Sequence, residues 1–557
     1  MAALCLPIRA ASTTWLPAGF QLWNSGANWS NGAPASGVDV VIGNNGYASM
    51  LSITGAAGAI TVGTSTGHGT LEILQSTLNS TGTARLGNGN ALDGSFGYNG
   101  TAVVSSLGVW NNTGDIHLGE TGKGGLIITT GGLVRVGWNG VTATGTMTLG
   151  VSGTAGGTLT IGYTNTAGTL LAAAVTSGAG SGTNLVLFNQ TNTTTFAPDL
   201  RGNLSVQKTG GATTILTGSN SYTGATTISG GTLRLERVNA SPSFAISSGA
   251  VLELSSTDST IHPANTIITG TGTLRKTGIG SVAWTGAAAT FALSDGALID
   301  VQGGTFVGGS NGNEVWTNNF ADLNVAAGAQ FGGVEANVRV DALTGSGTIT
   351  SGFSGAGYQN FTFGVANGSG TFSGLLSDNQ IGGYTAHYVK TGTGTQTLSG
   401  ATTYSGTTTI SAGTLVISGS ASLGNTTAGT TVVSGAVLSL NNVAIGNEAL
   451  TLAGTGIGGN GALVATGTTS LGGPVTLSGG VTIGNTGGLT FSNSVNTGTL
   501  TKIGAGTVTL SGSTDNTALA AIVTTGTLVL GKTSNASVHA IGGGSPANLI
   551  VQSGAVA

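Results

Sequence analysis

Two long stretches of the chain can be laid on each other without a gap, and this repetition constrains the fold more than any other feature. The first, KTGGATTILTGSNSYTGATTISGGTLRLE, begins at Lys208, and the second, KTGTGTQTLSGATTYSGTTTISAGTLVIS, begins at Lys390. Both place apolar residues 8, 20, 25 and 27 positions after the lysine. Short apolar runs ended by glycine turns predict strands, and their repetition predicts turns that must stack on each other to bury a core.

A fixed turn follows the first apolar position of each copy. Two glycines flank a tyrosine there: Gly218, Tyr222 and Gly224 in the first copy, and Gly400, Tyr404 and Gly406 in the second. A third copy begins at Lys502 and keeps Gly512, but has Asn516 in place of the tyrosine. A fourth begins at Lys276 and soon diverges. We interpret each copy as three strands separated by glycine turns, which is one triangular turn of a parallel β-helix.

A second pattern, Gly-Thr-Leu or Gly-Thr-Met followed two residues later by an apolar residue, recurs along the chain. It begins at Gly69, Gly145, Gly157, Gly231, Gly413 and Gly526. The alternation predicts strands that bury the Leu or Met and the residue two positions later. About 20 to 25 turns are expected on this pattern, with ladders of Asn and Thr side chains along the stack.

The composition excludes several classes of protein. Charged residues make up 6% of the chain, hydrophobic residues 39%, and the net charge is -4. Disordered chains combine low hydrophobicity with high charge, and a nucleic-acid-binding protein needs a basic surface. Since no run of 18 apolar residues occurs, no helix is expected to span a membrane. The sequence therefore predicts a folded chain that binds no nucleic acid.

Four of the six lysines open copies of the repeat. We interpret each as a gatekeeper charge that discourages wrong pairing of a β-prone segment. The alternative interpretation is contact with an anionic glycan.

The N-terminal region differs from the repeats. Residues 1–12 resemble the remnant of a secretory signal and contain Cys5, the only cysteine. Trp15, Trp23 and Trp29 cluster in the following segment. They are expected to cap the exposed strand edge of the first turn; the alternative is a platform on which sugar rings stack.

The copies resemble the autotransporter-associated beta-strand repeat, whose pattern runs Lys-x-Gly, Leu-x-Gly, Tyr-x-Gly and Gly-Thr-Leu. The resemblance implies an all-β, right-handed parallel β-helix (β-solenoid), and the tryptophans add an N-terminal cap. It also implies a passenger that is secreted or held at the cell surface of a Gram-negative-type bacterium. Such passengers are commonly exported through an outer-membrane β-barrel, which is expected beyond this fragment.

These features predict a division of the chain into four regions. They are a signal remnant (1–12), a cap segment (13–50), irregular solenoid repeats (51–200) and a solenoid with the family's repeats (201–557). The copies are predicted near 204–236, 274–309, 387–418 and 500–532.

No residue set points to catalysis. Asp295 and Asp300 form one carboxylate pair, but glycosidase chemistry requires a defined separation that spacing does not supply. A second acidic group consists of Asp115, His117, Glu120 and Lys123, and its spacing fits no hard-metal loop. We interpret both as solvated turn residues, and predict no catalytic, cofactor-binding or metal-binding residues.

The leading functional hypothesis is a non-enzymatic stalk or adhesin whose partners are glycans or cell surfaces. Two alternatives stay open, a polysaccharide lyase or hydrolase on the same scaffold and a self-associating matrix protein.

Overall fold

The computed structural model describes most of the chain. The described residues are 12–89, 97–262, 265–284, 289–307, 314–333, 336–352, 359–379, 384–420, 422–516, 518–533, 537–542 and 548–557. They form an all-β parallel solenoid of about 21 turns, as predicted. Helix among them is confined to short 3-10 turns such as Gly26–Asn28 and Ile457–Gly459. Cys5 and most of the predicted signal remnant lie outside the described residues.

The chain divides into two compact units, Met1–Ser255 and Ser256–Ala557. The strands of the first unit are β1 (Ser12–Thr14), β2 (Gly19–Leu22), β3 (Asp39–Ile42), β4 (Gly46–Leu51), β5 (Thr54–Ala57), β6 (Ile60–Thr64), β7 (Gly69–Leu74), β8 (Thr77–Ser80), β9 (Ala84–Asn88), β10 (Gly100–Ser105), β11 (Val109–Asn112), β12 (Ile116–Leu118), β13 (Lys123–Ile128), β14 (Leu133–Val136), β15 (Thr146–Leu149), β16 (Gly156–Ile161), β17 (Thr169–Leu171), β18 (Ala174–Ser177), β19 (Asn184–Phe188), β20 (Thr194–Phe196), β21 (Asp199–Gly202), β22 (Ser205–Lys208), β23 (Thr213–Leu216), β24 (Ser221–Tyr222), β25 (Thr226–Ile228), β26 (Thr232–Leu235), β27 (Ser243–Ile246) and β28 (Val251–Ser255).

These strands stack into three faces. One face runs β1-β3-β6-β9-β12-β15-β18-β21-β24, a second runs β2-β4-β7-β10-β13-β16-β19-β22-β25-β27, and the third is made first by β5-β8-β11-β14-β17 and then by β20-β23-β26-β28. Inward residues of successive turns form columns, for example Leu71, Ala102, Leu126 and Leu159, which pair in register and are fully buried. The period-2 alternation of the sequence produces this arrangement, because every second side chain points inward.

The second unit contains β29 (Thr260–His262), β30 (Ile267–Gly270), β31 (Thr273–Thr277), β32 (Ser281–Trp284), β33 (Thr290–Leu293), β34 (Leu298–Val301), β35 (Thr305–Val307), β36 (Asp322–Val325), β37 (Gln330–Gly333), β38 (Val338–Val340), β39 (Leu343–Gly345), β40 (Thr348–Ser351), β41 (Asn360–Phe363), β42 (Gly370–Phe372), β43 (Leu375–Asp378), β44 (His387–Lys390), β45 (Thr395–Leu398), β46 (Thr408–Ile410), β47 (Thr414–Ser418), β48 (Gly429–Val432), β49 (Val437–Asn441), β50 (Ala444–Ile445), β51 (Ala449–Gly454), β52 (Leu463–Thr466), β53 (Thr468–Leu471), β54 (Val475–Asn485), β55 (Gly488–Phe491), β56 (Val495–Asn496), β57 (Gly498–Ile503), β58 (Thr507–Leu510), β59 (Leu519–Val523), β60 (Thr527–Leu530) and β61 (Leu549–Val551).

Parallel rows also build this unit. One row runs β41-β44-β46-β48-β51-β54 and a neighbouring one runs β42-β45-β47-β49-β52-β54, so the long strand β54 joins both. Separate faces are formed by β29-β32-β35-β37-β40-β43 and by β50-β53-β55-β58-β60.

The register shows that one turn of the repeat is shorter than one copy of the sequence motif. Lys390 pairs with Ile410, and Leu398 pairs with Ile417. A turn therefore takes about 20 residues, and each copy covers one turn and the first half of the next. The interpretation of a copy as a single turn was wrong, because the apolar positions 8 and 27 residues after the lysine belong to one inward column on successive turns.

Polar and aromatic side chains also stack along the solenoid. In the first unit, Asn111 Nδ2 donates to Asn79 Oδ1 at 2.9 Å, and Arg135 Nη1 donates to Asn111 Oδ1 at 2.8 Å. This confirms a ladder, although a short one. In the second unit, a buried series of ring contacts, with centroids 4.2 to 6.2 Å apart, connects Trp284, Phe291, Trp316, Phe331, Phe361, Tyr388 and Tyr404.

Candidate functional site

The three N-terminal tryptophans form one buried cluster. Trp29 lies edge-on to both of the others, with ring centroids 4.8 Å from Trp15 and 5.0 Å from Trp23. The indole N–H of Trp29 donates to the backbone oxygen of Trp23 at 2.7 Å. All three are at most 3% exposed. The rings therefore offer no open face on which a sugar could stack.

The cluster packs onto the turn made by β3 and β4. The backbone N–H groups of Trp15 and Trp23 donate to Val41 and Ser49 at 2.8 and 2.9 Å. A Cβ at Gly46 would lie 2.2 Å from Trp15 Cδ1, so only glycine leaves room for this ring. This geometry suits a cap, but the capping role stays a prediction.

All four lysines that open copies of the repeat are fully buried: Lys208, Lys276, Lys390 and Lys502. The gatekeeper interpretation was therefore wrong, because that role needs a charge at the surface. Lys390 pairs in register with Phe363 on one side and Ile410 on the other. Its aliphatic stem thus occupies a place that adjacent turns fill with apolar side chains.

The ammonium group of Lys390 is bound by backbone carbonyl groups from two turns. Its Nζ donates to the oxygens of Thr391 and Gly392 at 2.6 and 3.0 Å, and to that of Ala412 on the next turn at 3.3 Å. An ammonium has three N–H donors, so three carbonyls satisfy it. Burial lowers the pKa of Lys390 to about 8, which leaves the ammonium as the main form at neutral pH. We call this arrangement the lysine clamp.

The clamp recurs at Lys276 and Lys502, whereas Lys208 has one acceptor among the described residues. The acceptors are Thr277, Gly278 and Gly303 for Lys276, and Ile503, Gly504 and Thr525 for Lys502, at 2.6 to 3.1 Å; Lys208 donates to Gly210. Burial lowers the pKa of Lys208 and Lys276 to about 8 and also lowers that of Lys502.

The glycine of the Gly-Thr-Leu element lies against backbone carbonyls of the preceding turn, which a Cβ would approach to 2.3 and 2.5 Å at Gly413 and to 2.3 and 2.6 Å at Gly526, and it also lies beside the clamp. A Cβ at Gly413 would lie 2.7 Å from Lys390 Nζ, and a Cβ at Gly526 would lie 2.7 Å from Lys502 Nζ. Both glycines also have positive φ, 66° and 73°. The lysine and the glycine 23 or 24 residues later, Gly413 and Gly526, are thus parts of one arrangement.

The tyrosine of the Tyr-x-Gly turn is buried and hydrogen-bonded inside the solenoid. The hydroxyls of Tyr222 and Tyr404 lie 2.7 and 2.6 Å from the Oγ1 atoms of Thr226 and Thr408, and both rings are buried. In the third copy Asn516 replaces the tyrosine, accepting from Val495 N at 2.7 Å and donating to Ala540 O at 2.9 Å. The side chain at this position is therefore hydrogen-bonded in all three copies, although asparagine bonds to backbone groups and tyrosine to a threonine hydroxyl.

The glycines of these turns lie against backbone of the preceding turn. A Cβ would come within 2.0 to 2.5 Å of a carbonyl oxygen at Gly218, Gly224, Gly400, Gly406 and Gly512. These positions thus exclude larger residues because adjacent turns approach closely.

The first acidic pair is not a catalytic dyad in this geometry. Asp300 lies in β34, where its carboxylate accepts from Arg275 Nε at 2.9 Å, Gln302 Nε2 at 2.5 Å and Asn324 Nδ2 at 2.8 Å. Burial opposes ionisation, but these hydrogen bonds and the Arg275 charge outweigh it and lower the pKa of Asp300. Asp295 is exposed in a turn. Asp300 was expected in a turn and instead belongs to a ladder of strand side chains.

The carboxylates of the second acidic group also contact neighbouring groups of the protein. His117 Nδ1 lies 2.5 Å from Glu120 Oε2, and Arg85 Nε lies 3.7 Å from Glu120 Oε1. Asp115 Oδ1 accepts from the backbone N–H of Thr146 at 2.8 Å. No cluster of three or more potential metal ligands occurs in the described part of the chain.

Two features were not predicted from the sequence, a buried carboxyl group and a tryptophan at a surface cleft. Glu448 is buried, and burial raises the pKa of its carboxyl to about 7. Trp138, which follows β14, lines a surface cleft. Neither belongs to a repeated motif, so only the neighbours supplied by the fold reveal them.

Comparison with protein families agrees with this geometry. Residues 206–235 and 389–417 match the family model described as passenger-associated-transport-repeat. Both ranges fall inside the copies predicted around Lys208 and Lys390. No curated protein matches the chain significantly. No helix among the described residues is long and apolar enough to cross a membrane. The chain is thus a parallel β-solenoid that resembles autotransporter passengers and contains two passenger-associated transport repeats, each with a buried lysine near its start.

Proposed function

We propose that this chain is the passenger region of a protein displayed outside a Gram-negative-type bacterium, where it acts as a non-enzymatic stalk or adhesin. The observation that carries the proposal is the position of the two passenger-associated transport repeats, which are built into the stack of turns and are not appended to it. The repeat is named for passenger transport and not for an enzymatic activity.

The way the turns are joined supports a role outside the cell. Lys390 and Lys502 each connect carbonyl groups of two successive turns through one ammonium. The single cysteine, Cys5, lies in the predicted signal remnant, so the mature chain would use no disulfide. A chain held by such contacts can cross a membrane unfolded and then gain stability as each turn stacks on the last.

The enzymatic alternative needs carboxylates that converge on a groove beside a basic residue. Asp300 and Glu120 are instead held by neighbouring side chains, Arg275 for the first and His117 with Arg85 for the second. This engagement favours a structural role for both carboxylates. Incubation of the purified chain with polygalacturonate and neutral polysaccharides tests it, since new reducing or unsaturated ends would support the enzyme.

Surface display is tested on cells that make the protein from its full reading frame. Antibodies against this region should label intact cells, and external protease should remove the label. Labelling only after the cells are permeabilised would contradict the proposal.

Cells that display the region should also adhere to glycan-coated surfaces more than cells without it. Display without adhesion would leave the stalk role.

Self-association is separated from these roles by sedimentation of the purified chain at several concentrations. A stalk or adhesin predicts a constant sedimentation coefficient. Growth of the sedimenting species with concentration would support the matrix protein.

A further inference from the structure

A loop in the first unit stands away from the solenoid and is braced by its own residues. It runs from Trp138 to Ala143, which form an antiparallel bridge. Asn139 Oδ1 accepts from the N–H groups of Val141 and Thr142 at 2.9 and 2.8 Å, and its Nδ2 donates to Thr142 Oγ1 at 3.0 Å. The loop is therefore an ordered projection with a defined shape.

The loop forms one wall of a cleft of about 830 Å³. The lining includes Trp138 and Asn139 from the loop, Thr144 just after it, and Thr83, Thr113 and Asp115 from neighbouring turns. This volume lies within the usual range for small-ligand sites, about 300–1,000 Å³.

The ring of Trp138 is held in place although it is partly open to solvent. The guanidinium carbon of Arg135 lies 4.6 Å from the ring centroid, and Arg135 also donates to Asn111 Oδ1 at 2.8 Å. The six other tryptophans are at most 3% exposed: Trp15, Trp23, Trp29, Trp110, Trp284 and Trp316. A fixed aromatic ring loses little conformational freedom when a ligand packs on it.

Unused hydrogen-bonding groups surround this ring. Asp115 uses Oδ1 to accept from Thr146 N, while its Oδ2 has no donor within the described residues. Thr83, Thr113 and Thr144 also line the cleft. A tryptophan, a carboxylate and threonines in one cleft suit the apolar face and the hydroxyl rim of a pyranose.

We propose that this cleft binds a neutral glycan. A sugar ring packs on Trp138, and its hydroxyls donate to Asp115 Oδ2 and exchange hydrogen bonds with the threonine hydroxyls. The Asp115 carboxylate lines the cleft and repels acidic sugars, whereas the Arg135 guanidinium lies over the Trp138 ring and is not part of the cleft lining. The inference deepens the adhesive role and rests on the proposed function for where the glycan is met.

The test uses the purified full chain and three neutral probes: cellohexaose, chitohexaose and mannohexaose. Iodide should quench the fluorescence of Trp138 selectively, because the other tryptophans are buried. At least one probe should protect it in a saturable manner, with a Kd on the order of 1 mM or tighter. Saturation-transfer NMR should then show Asp115→Asn weakening that probe about fivefold or more, since asparagine keeps the Thr146 contact but replaces the free oxygen.

Controls separate this site from general effects. Trp138→Ala should abolish binding with unchanged circular dichroism, whereas Tyr163→Ala, an exposed aromatic outside the cleft, should bind normally. The proposal is overturned if no neutral probe saturates, if hexagalacturonate binds more tightly, or if Asp115→Asn has no effect. Loss of binding in a chain that is still displayed on cells would overturn this site alone, while binding by a chain that never reaches the surface would overturn the proposed function alone.

Discussion

Two buried ionisable side chains in the second unit, Lys390 and Glu448, differ in how fully their surroundings supply hydrogen-bond partners. Lys390 is fully buried, and each of its three N–H donors has a carbonyl acceptor within 3.3 Å. Glu448 is 4% exposed; its Oε1 accepts from Thr430 Oγ1 at 2.9 Å, while Oε2 has no partner among the described residues.

The difference shows which charged groups the interior of the solenoid can stabilise. Backbone carbonyls at a turn supply acceptors in any sequence, so an ammonium can be satisfied without a second charged side chain. A carboxylate needs donors, and among the described residues only the Thr430 hydroxyl supplies one to Glu448. Burial accordingly raises the pKa of Glu448 to about 7, and its carboxyl group is largely protonated in mild acid.

The largest effect is expected for Lys390→Met. Methionine fills the apolar place but leaves three carbonyl groups without a donor, at a cost of about 2–4 kcal/mol in the free energy of unfolding. Urea unfolding of both chains measures this. Lys123→Met, at an exposed lysine, is the control and should change stability by less than about 0.5 kcal/mol. Equal stability of both variants would mean that the clamp contributes nothing.

Glu448→Gln is expected to raise the free energy of unfolding, whereas Lys390→Met lowers it. The folded state keeps the Glu448 proton up to about pH 7, whereas an unperturbed glutamic acid side chain has a pKa of 4.5. Between these values the folded state binds more protons, so the free energy of unfolding falls as pH rises. Glutamine cannot ionise and should stabilise the chain by about 1–3 kcal/mol at pH 8, with little change near pH 4. Unfolding measured across this window checks it; parallel curves for the two chains would contradict the assignment.

Gly413→Ala tests whether the ammonium fills the space beside that glycine. The new Cβ would lie 2.7 Å from Lys390 Nζ at a φ of 66°, so a loss of about 1–2 kcal/mol is expected. The loss should shrink in a Lys390→Met background, and a double-mutant cycle measures the coupling. Gly328→Ala, at a φ of 77° with no atom within 4 Å of the new Cβ, is the matched control. Strict additivity would mean that the loss comes from the backbone carbonyls of Gly392 and Gly394 and the positive φ, and not from the ammonium.

The smallest effect is expected for Thr430→Val, which removes the one donor to the Glu448 carboxylate found among the described residues. A loss of about 1 kcal/mol is predicted at pH 8, where the carboxylate is ionised, and less near pH 5. Hydrogen exchange of amides in β48 and β51 follows this local change. A loss that does not depend on pH would mean that the hydroxyl serves packing and not the carboxylate.

The apolar frame of the repeats follows from sequence, but the polar interior does not. Leu216, Ile228 and Leu233 were predicted inward from alternation alone, and they are buried. The carbonyl that completes the clamp at Lys390 belongs to Ala412, 22 residues later. Such an acceptor carries no side-chain signature, so only the register of the turns identifies it. For the same reason Trp138 gave no signal, since Asp115 reaches its cleft from another turn.

Nitrogen-15 NMR of lysine side chains tests the lysine clamp most directly. In chain labelled with 15N-lysine at about pH 6, well below the lowered pKa values, the ammonium groups of Lys276, Lys390 and Lys502 should exchange protons slowly with water. Exposed Lys123 should exchange too fast to be seen. Resolved, slowly exchanging signals that disappear with Lys390→Met and its counterparts are the predicted result. Exchange of all six lysines at the rate of free lysine would contradict the account.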